Sequence, residues 1–256
     1  GQIVVNDKAY VGSWDTALEG VSPPSAVLNI AGGTLSILKE LYVGLGGNGT
    51  MNLSGGTVSF TANNWQQLRI GSQQGDGVIN MTGGTLVTNG FQMDDDANSI
   101  ARINLDGGIL EVTSGWAGTA DGGYTDGVVT ISAGNGIAIS DGVFQWKGTN
   151  KRPAIGAYVA SGYITFANPT TSGNYPTVTP EESWTSAGGA TTLYADTNEI
   201  RSGYTTVWAE SNDTDNDGYN NSIDVFPDDP DEWADADGDN VGDNADVHDG
   251  YNDAAL

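Results

Sequence analysis

The first half of the chain is built on the segment Leu28-Asn29-Ile30-Ala31-Gly32-Gly33-Thr34-Leu35-Ser36-Ile37, which carries a double glycine at its centre. Three further copies of this segment follow, at residues 51–60, 79–88 and 103–112. The Gly-Gly pairs recur after 23, 28 and 24 residues. Self-similarity at a period of about 20 to 50 residues is typical of a solenoid, in which stacked repeats share one core.

The alternation inside each copy predicts β-strands. Leu28 and Ile30 flank Asn29, so apolar side chains fall on one face and polar ones on the other. Period-2 alternation indicates a half-buried strand, and the Gly-Gly pair predicts a tight corner with positive φ or close backbone approach. A second short strand is predicted after three of the copies, at residues 41–44, 68–71 and 91–94.

These features together predict an all-β fold, a right-handed parallel β-helix with about three strand segments per turn. One coil cannot bury its own apolar face, whereas stacked coils share a continuous core and pair their backbone groups. An antiparallel sandwich or jelly roll is the alternative, because its strands also alternate and are also punctuated by glycine. A sandwich gives no reason for one segment to recur four times, so the β-helix is favoured.

Composition and charge fit an extracellular β-protein. The chain has 38 glycines, no cysteine and 38% hydrophobic residues, which suits a narrow core without disulfides or thiol chemistry. No apolar run is long enough to cross a membrane, and the chain starts without a signal peptide, which suggests a mature or excised piece of a longer secreted protein. A formal net charge of −25 disfavours nucleic acids and anionic membranes as partners.

The charge is concentrated at the C-terminus and predicts three regions. Residues 211–256 contain 15 Asp or Glu and no Lys or Arg. We expect β-helix coils over residues 1–149, a mixed cap over 150–209 and a separate acidic segment over 210–256. Within the cap, residues 153–162 predict a short helix closed by a glycine, followed by a strand at 163–166. Residues 1–25 are expected to cover the opposite end of the solenoid.

The acidic segment has the spacing of calcium loops. A first set of aspartates occupies positions 1, 3, 5 and 12 of an EF-hand-like loop, and a second set occupies positions 1, 3, 5, 9 and 12. Asn240 stands at the turn position of the second loop, where asparagine tolerates the required backbone conformation. A solvated, disordered tail is the alternative reading of any acidic run. The predicted Ca²⁺ ligands are Asp213, Asp215, Asp217, Asp224, Asp235, Asp237, Asp239, Asp243 and Asp246.

This spacing resembles thrombospondin type 3 repeats, over roughly residues 213–249. The resemblance implies a calcium-stiffened spacer between modules of a secreted bacterial protein. It implies nothing about catalysis. The aromatic residues of the segment Phe226-Pro227-Asp228-Asp229-Pro230-Asp231-Glu232-Trp233, which joins the two loops, are expected to pack between them.

The second strands predict a row of side chains on one outer face. Tyr42, Arg69 and Gln92 are the outward residues, one per coil, and Trp65 and Trp116 lie in loops near the same edge. Aromatic, guanidinium and amide groups in a row suit an extended sugar chain, so these five are the predicted ligand-binding residues. The alternative for the two tryptophans is that they cover coil corners as hydrophobic plugs. A second outward row consists of asparagines and is predicted to be structural. Its members are Asn29, Asn52, Asn80 and Asn104.

Residues 25–209 also resemble the glycine-rich β-strand repeats of secreted bacterial proteins of the PEP-CTERM and autotransporter-associated kind. Such repeats often accompany polysaccharide-degrading enzymes, although the repeat itself is structural. We therefore expect a non-catalytic carbohydrate-binding module of a secreted or cell-surface bacterial protein. Its expected partners are a polysaccharide and covalently linked catalytic or surface domains, without nucleic acid and without a membrane span. A purely structural or adhesive segment is the alternative.

A small polysaccharide lyase or hydrolase is the third hypothesis. Asp94, Asp95 and Asp96 follow a strand directly, and Asp76 and Asp106 are expected near them. Arg69 and Arg102 are the candidates for the basic groups that a lyase needs. The single histidine, His248, lies in the acidic segment, and no Ser-His-Asp, metal-histidine or phosphate-loop pattern occurs. A non-catalytic chain is therefore favoured.

Overall fold

The computed structural model shows a β-solenoid of about four turns with one short helix, which confirms the predicted fold class. It describes residues 1–13, 25–61, 68–93, 99–113, 129–130, 135–148, 151–167, 178–186, 189, 191–215, 217, 219, 221 and 223–247. Within these ranges, no helix has the length and apolar character needed to span a membrane.

The strands and the helix follow the predicted periodicity closely. In the first half they are β1 Gln2–Val5, β2 Ala9–Ser13, β3 Ser25–Ile37, β4 Leu41–Leu45, β5 Asn48–Phe60, β6 Leu68–Ser72, β7 Gly77–Met81, β8 Thr85–Thr88, β9 Phe91–Met93, β10 Ala101–Leu105 and β11 Ile109–Val112. In the second half they are β12 Val129–Thr130, β13 Gly136–Ile139, β14 Val143–Lys147, α1 Arg152–Ala160, β15 Ile164–Phe166, β16 Glu182–Thr185, β17 Thr191–Thr197 and β18 Tyr204–Ser211.

Two sheets run along the solenoid, and their strands within the coils are parallel. The smaller sheet has the order β12-β9-β6-β4-β2, and the larger one carries the two strands that flank each Gly-Gly pair. Equivalent residues of successive coils are aligned on either side of the corners, and β3 and β5 shift register only around Ala31. An example of an aligned row is Leu35, Val58, Leu86, Leu110 and Phe144. Parallel pairing of repeated segments rules out the antiparallel sandwich for the coils.

The core is made of the alternate residues that the sequence pattern assigned to the inner face. In the larger sheet Met51, Ile79 and Ile103 are aligned and fully buried. In the smaller sheet Leu41 and Leu68 are equally buried. Complete burial of one such side chain stabilises the fold by about 1.5 to 3 kcal/mol, so aligned rows supply the main stabilisation.

The second glycine of each pair, and the first glycine in the last three copies, are required at the corners. The second glycine has positive φ in all four copies, as at Gly56 with φ +81°. The first glycine lies against the coil above it: a Cβ on Gly83 would come within 2.6 Å of the Ser54 carbonyl oxygen. The predicted corner therefore has both physical causes, a left-handed backbone and close backbone approach.

The far end of the solenoid is covered by the predicted cap. Helix α1 ends at Ala160 and is followed by Gly162 with φ +72°, as expected for a glycine that closes a helix. Ile155 and Tyr158 of α1 are buried in the same core as the coils. Strands β16, β17 and β18 pair antiparallel with one another and with β14, which ends the parallel stacking.

The turn between β17 and β18 fastens the cap to the coils. Arg201 in this turn donates one hydrogen bond to Glu111 Oε1 (2.7 Å) and another to Gln145 Oε1 (2.6 Å). The Tyr204 hydroxyl donates to the same Glu111 oxygen at 2.9 Å. Burial and then the Glu111 carboxylate raise the pKa of Tyr204, which therefore keeps its proton and its donor role.

The N-terminal end is a partial coil and not a separate cap. Strand β1 pairs with β3, and β2 pairs with β4, both in parallel register. Residues 2–5 and 9–13 therefore extend the two sheets, whereas the sequence suggested that residues 1–25 would close this end. These strands lie within residues 1–149, where the sequence predicts coils, and the double-glycine repeat itself begins only at residue 28.

Candidate metal sites and the outer face

The predicted row on the smaller sheet is formed as expected. Tyr42 of β4 is aligned with Arg69 of β6, and Arg69 is aligned with Gln92 of β9. The neighbours Leu41 and Val43 point into the core and are fully buried, so the row lies on the opposite, outer face. Tyr10 of β2 extends the row by one coil. We call Tyr10, Tyr42, Arg69 and Gln92 the outer row.

The side chains of the outer row are packed against one another. The rings of Tyr10 and Tyr42 are stacked at 5.2 Å with an interplanar angle of 14°. The Arg69 guanidinium lies 5.6 Å from the centre of the Tyr42 ring. Tyr42 is buried between these two neighbours, so the exposed aromatic surface belongs to Tyr10, which is 50% exposed.

An ion pair borders the outer row. The Lys8 ammonium lies 2.5 Å from Glu40 Oε2, and the Tyr42 hydroxyl donates to the same oxygen at 3.1 Å. Burial raises the pKa of Glu40, but Lys8 and Tyr42 outweigh it and hold this pKa below its usual value. The bond to Glu40 raises the pKa of Lys8. The border is therefore a fixed pair of opposite charges at neutral pH.

Several predicted site residues lie outside the described residues. These are Trp65 and Trp116 of the ligand-binding set and Asp94, Asp95 and Asp96 of the catalytic hypothesis. The remaining carboxylates of that hypothesis join neighbouring coils: Asp76 Oδ1 accepts the Ile100 N–H at 2.9 Å, and Asp106 Oδ1 accepts the Ser140 hydroxyl at 2.8 Å.

The predicted asparagine row is a chain of hydrogen bonds. Asn52 donates to Asn29 at 2.8 Å, Asn80 to Asn52 at 2.8 Å and Asn104 to Asn80 at 2.7 Å. Each side-chain amide thus uses its nitrogen and its oxygen on adjacent coils. The row joins four coils along the larger sheet and is structural, as the sequence suggested.

Each of the two acidic loops brings three carboxylates together. In loop 1 (residues 213–224) oxygen atoms of Asp213, Asp215 and Asp217 lie within 4.8 Å of one another. Loop 2 (residues 235–246) does the same with Asp235, Asp237 and Asp239. Either cluster has the oxygen donors and the spacing to hold a metal ion. The predicted ligands Asp224, Asp243 and Asp246 do not belong to these clusters.

The two loops share one backbone design at an offset of 22 residues. The N–H of Tyr219 donates to Asp217 at 2.7 Å, and the N–H of Val241 donates to Asp239 at 2.8 Å. Asn221 N–H donates to the Asn212 carbonyl in loop 1, and its equivalent in loop 2 makes the matching bond to Ala234. The second loop also has Asn240 at φ +68°, which confirms the predicted turn position.

Both loops contain buried carboxylate oxygens without a hydrogen-bond partner. They are Oδ2 of Asp215, Asp217, Asp224, Asp237 and Asp239. The other oxygen of Asp224 accepts the Phe226 N–H at 2.8 Å, and Oδ1 of Asp217 and Asp239 is used in the same way. Asp213, Asp224 and Asp239 are only 1%, 7% and 5% exposed. Buried ionised groups are paired or bind metals, because an unpaired buried charge costs several kcal/mol.

The pKa values in loop 2 reflect this crowding. Burial, together with the charges of Asp239, Asp246 and Asp235, raises the pKa of Asp237. The Asp235 carboxylate accepts the N–H groups of residues 238, 239 and 240, which lower its pKa. The charge of Asp246 is therefore among those that raise the pKa of Asp237. Loop 2 holds carboxylates in mutual repulsion that a cation would relieve.

Both loops are tied to their surroundings. Loop 1 follows β18 directly, and Asn212 donates to the Gly189 carbonyl (2.9 Å) and to Thr192 Oγ1 (2.7 Å) of the cap. The rings of Tyr219 and Trp233 are stacked at 4.9 Å with an interplanar angle of 4°. Trp233 lies just before loop 2, so this stack joins the two loops, as expected for the aromatic residues between them.

The sequence missed two residues that shape the loops, Asn221 and Glu232, and it assigned Asp243 a different role. Asn221 accepts the Thr214 N–H at 2.9 Å, and Asp243 accepts the equivalent Ala236 N–H at 2.7 Å. Oδ1 of Asp243, a predicted ligand, is thus used for a backbone hydrogen bond within its own loop. Buried Glu232 accepts the Asn244 N–H at 3.0 Å. Aligning the two loops at 22 residues in the sequence would have revealed the equivalence of Asn221 and Asp243.

Known proteins give no assignment for this arrangement. The chain matches no protein-family model, no curated protein and no solved structure.

Proposed function

We propose that each acidic loop binds one Ca²⁺ ion and that the bound ions make the C-terminal segment a stiff extension of the solenoid cap. The observation that carries this proposal is the set of five buried carboxylate oxygens without a partner, three in loop 1 and two in loop 2. A chain that buries ionised oxygens in two equivalent clusters needs a cation in each.

The donor set favours calcium over other metals. Ca²⁺ takes six to eight oxygen ligands in flexible geometry, and the clusters consist of carboxylates on tightly turning loops. The chain has no cysteine, so thiolate sites for zinc or copper are absent. Mg²⁺ demands a near-octahedral cage and gives up its water reluctantly, which suits these crowded loops poorly.

The ligands of each loop, and the place where they would be loaded, follow from this calcium chemistry. Asp213, Asp215, Asp217 and Asp224 would serve loop 1, with Asp235, Asp237, Asp239 and Asp246 in the equivalent places of loop 2. A secreted bacterial protein would meet enough calcium outside the cell, where sites of about 0.1 to 1 mM affinity are loaded. The spacer role suggested by the likeness to thrombospondin type 3 repeats belongs to this proposal.

Calcium titration of the full chain by calorimetry, after removal of metal by a chelator, tests the proposal. We expect two ions per chain. Asp239→Asn keeps the shape of the side chain and removes its charge, so it should abolish binding at loop 2 and leave loop 1 intact. Asp231→Asn is the matched control, because Asp231 is exposed and lies between the loops. Absence of calcium binding at millimolar concentration would refute the proposal.

We propose polysaccharide binding on the outer row as a second function. It is supported by the alignment of aromatic, guanidinium and amide groups at one residue per coil, a spacing of about 4.8 Å. Tyr10 offers a half-exposed ring, and the residues Arg69 and Gln92 are partly exposed. A sugar chain lying along the solenoid axis would stack on Tyr10 and bond to Arg69 and Gln92.

A glycan panel probed with the full chain and matched variants tests the second function. Arg69→Ala should weaken binding at least tenfold, whereas Arg102→Ala should leave it unchanged, because Arg102 is exposed on the other sheet. Tyr10→Ala should act like Arg69→Ala. If no glycan binds, the solenoid is a structural or adhesive scaffold, and release of new sugar ends would instead establish an enzyme.

A further inference from the structure

The two acidic loops differ in what holds them in place. Loop 1 starts at the cap, where Asn212 donates to the Gly189 carbonyl at 2.9 Å and to Thr192 Oγ1 at 2.7 Å. The first carboxylate residue of loop 1, Asp213, is only 1% exposed, and the Ser211 hydroxyl bonds to both its N–H and its carbonyl oxygen. Loop 1 is therefore anchored to a folded sheet.

Loop 2 is held by the end of the segment that joins the two loops. Buried Glu232 accepts the Asn244 N–H at 3.0 Å, and the Asn244 side chain donates to the Asp231 carbonyl at 2.6 Å. The Ala234 carbonyl accepts the Asp243 N–H at 2.9 Å. The position of loop 2 thus depends on this joining segment, which follows loop 1 in the chain.

Trp233 of the joining segment is in contact with loop 1. Its ring stacks on the Tyr219 ring at 4.9 Å with an interplanar angle of 4°, and its carbonyl accepts the Val225 N–H at 3.2 Å. Both contacts begin beside carboxylates of loop 1, because the Tyr219 N–H donates to Asp217 Oδ1 at 2.7 Å and Val225 follows Asp224. Trp233 thus connects the carboxylates of loop 1 with the support of loop 2.

An ion in loop 1 would fix the side chains on which the Trp233 contacts depend. Asp217 and Asp224 each use one oxygen for a backbone N–H, and the other oxygen is buried without a hydrogen-bond partner. A cation bound to the second oxygens would hold both carboxylates in place, and with them the Tyr219 ring and the Val225 N–H. Loop 2 would then close on a segment that is already ordered, which lowers the entropy cost of binding there.

The charge that is left to attract an ion is smaller in loop 2. The described residues include three buried carboxylate oxygens without a partner in loop 1 and two in loop 2. In loop 2 the Asp235 carboxylate accepts the N–H groups of residues 238, 239 and 240. Because these donors already stabilise its negative charge, loop 2 gains less from a cation. Loop 1 is therefore the site with the stronger attraction for the first ion.

We propose that the loops fill in order, loop 1 first, and that the ion in loop 1 raises the affinity of loop 2 through the stack of Tyr219 on Trp233. The order and the coupling rest on the calcium binding proposed above. Because a coupling between two sites is reciprocal, the ion in loop 2 raises the affinity of loop 1 by the same factor. The acidic segment then stiffens over a narrow range of calcium concentration, from the cap outward.

Stepwise calcium binding constants of the full chain, measured by calorimetry after removal of metal, test the coupling. Asp217→Asn keeps the Oδ1 that accepts the Tyr219 N–H and removes the charge from loop 1. Its single remaining constant reports loop 2 beside an empty loop 1, and it should be at least about fivefold weaker than the second constant of the unchanged chain. Asp239→Asn should retain binding at loop 1, with a tighter constant than Asp217→Asn shows for loop 2.

Tyr219→Leu tests whether the stack carries the coupling. It removes the ring and keeps the backbone N–H that bonds to Asp217. Adding Asp217→Asn to this variant should then leave the constant of loop 2 unchanged. Val241→Leu is the matched control, because Val241 is the equivalent residue of loop 2 and its N–H donates to Asp239 in the same way. Adding Asp217→Asn to Val241→Leu should still weaken loop 2 about fivefold.

The outcomes distinguish a failure of the coupling from a failure of calcium binding. Two bound ions with an unchanged loop 2 constant in Asp217→Asn would overturn the coupling and leave the proposed function standing. A difference that persists in Tyr219→Leu would overturn the role of the stack, and a tighter constant for loop 2 than for loop 1 would overturn the order. Absence of bound calcium would refute the proposed function and the coupling together. Circular dichroism verifies that each variant is folded.

Discussion

The coils of the solenoid and the acidic loops fill their interiors with side chains of opposite chemistry. Each coil fills its interior with apolar side chains such as Met51 and Ile79, which need no further ligand. Each loop fills its interior with carboxylates such as Asp217 and Asp239, which retain unpaired buried oxygens. Apolar side chains alone stabilise the coils, whereas the proposed function makes the stability of the loops depend on a bound cation.

Removal of calcium should have the largest effect and should separate the two regions. We expect chelation to abolish the ordered loops and to leave the melting of the coils nearly unchanged. Each bound ion would contribute about 2.7 kcal/mol when free calcium exceeds the dissociation constant about a hundredfold. Differential scanning calorimetry with and without chelator measures both transitions. A single melting transition of the whole chain that does not change with calcium would contradict this distinction between the coils and the loops.

A cavity in the coils should produce the reverse pattern. Leu53 is fully buried, and Leu53→Ala should destabilise the solenoid by about 2 to 5 kcal/mol. Calcium binding by the loops should be unaffected. Val247→Ala is the control, because Val247 is 87% exposed and its truncation should change stability by less than about 0.5 kcal/mol. Chemical denaturation measures the two values.

The corner glycines allow strain and clash to be measured separately. Gly56 and Gly203 have nearly equal positive φ, +81° and +80°. A Cβ on Gly56 would lie 2.5 Å from the Gly33 carbonyl oxygen, whereas nothing lies within 4 Å of one on Gly203. We expect Gly203→Ala to cost about 1 kcal/mol and Gly56→Ala about 2 to 4 kcal/mol. The free energy of unfolding of both variants is measured by denaturant melts. Equal losses for Gly56→Ala and Gly203→Ala would show that contact with the neighbouring coil adds no cost.

The asparagine row should show the value of polar contacts between coils. Asn80→Ala removes two side-chain hydrogen bonds and should cost about 1 to 2 kcal/mol, whereas Asn29→Ala at the end of the row removes one and should cost about half as much. Urea denaturation compares the two variants. A larger loss of stability for Asn29→Ala than for Asn80→Ala would contradict a cooperative row of hydrogen bonds.

The smallest effect is expected from the ion pair between Lys8 and Glu40 beside the outer row. The pKa of Glu40 is lower in the folded chain than its usual value, so the pair stabilises the fold above that usual value. This contribution is lost as the pH falls through the folded pKa. Lys8→Met should remove it at a cost of about 1 kcal/mol or less, measured by denaturation at neutral and acidic pH. A larger loss at acidic than at neutral pH would contradict the assigned sign.

The sequence anticipated much of the fold because the repeat is local. Gly33, Gly56, Gly84 and Gly108 all take the positive φ that the double-glycine segment implied. The register of Tyr42, Arg69 and Gln92 followed from the same repeat. Asn221 escaped prediction, because a different residue, Asp243, takes its place in the second loop.

The sequence by itself determined the alternation of strands, the corners and the spacing of the aspartates, since each depends on residues close together in the chain. Only the tertiary structure decided which surfaces remain available. It buried Tyr42 between Tyr10 and Arg69, left Ile3 exposed in an otherwise buried row, and left one oxygen of five loop carboxylates without a donor. The physical reason is that availability depends on what the neighbouring coil or loop covers, and those neighbours are distant in sequence.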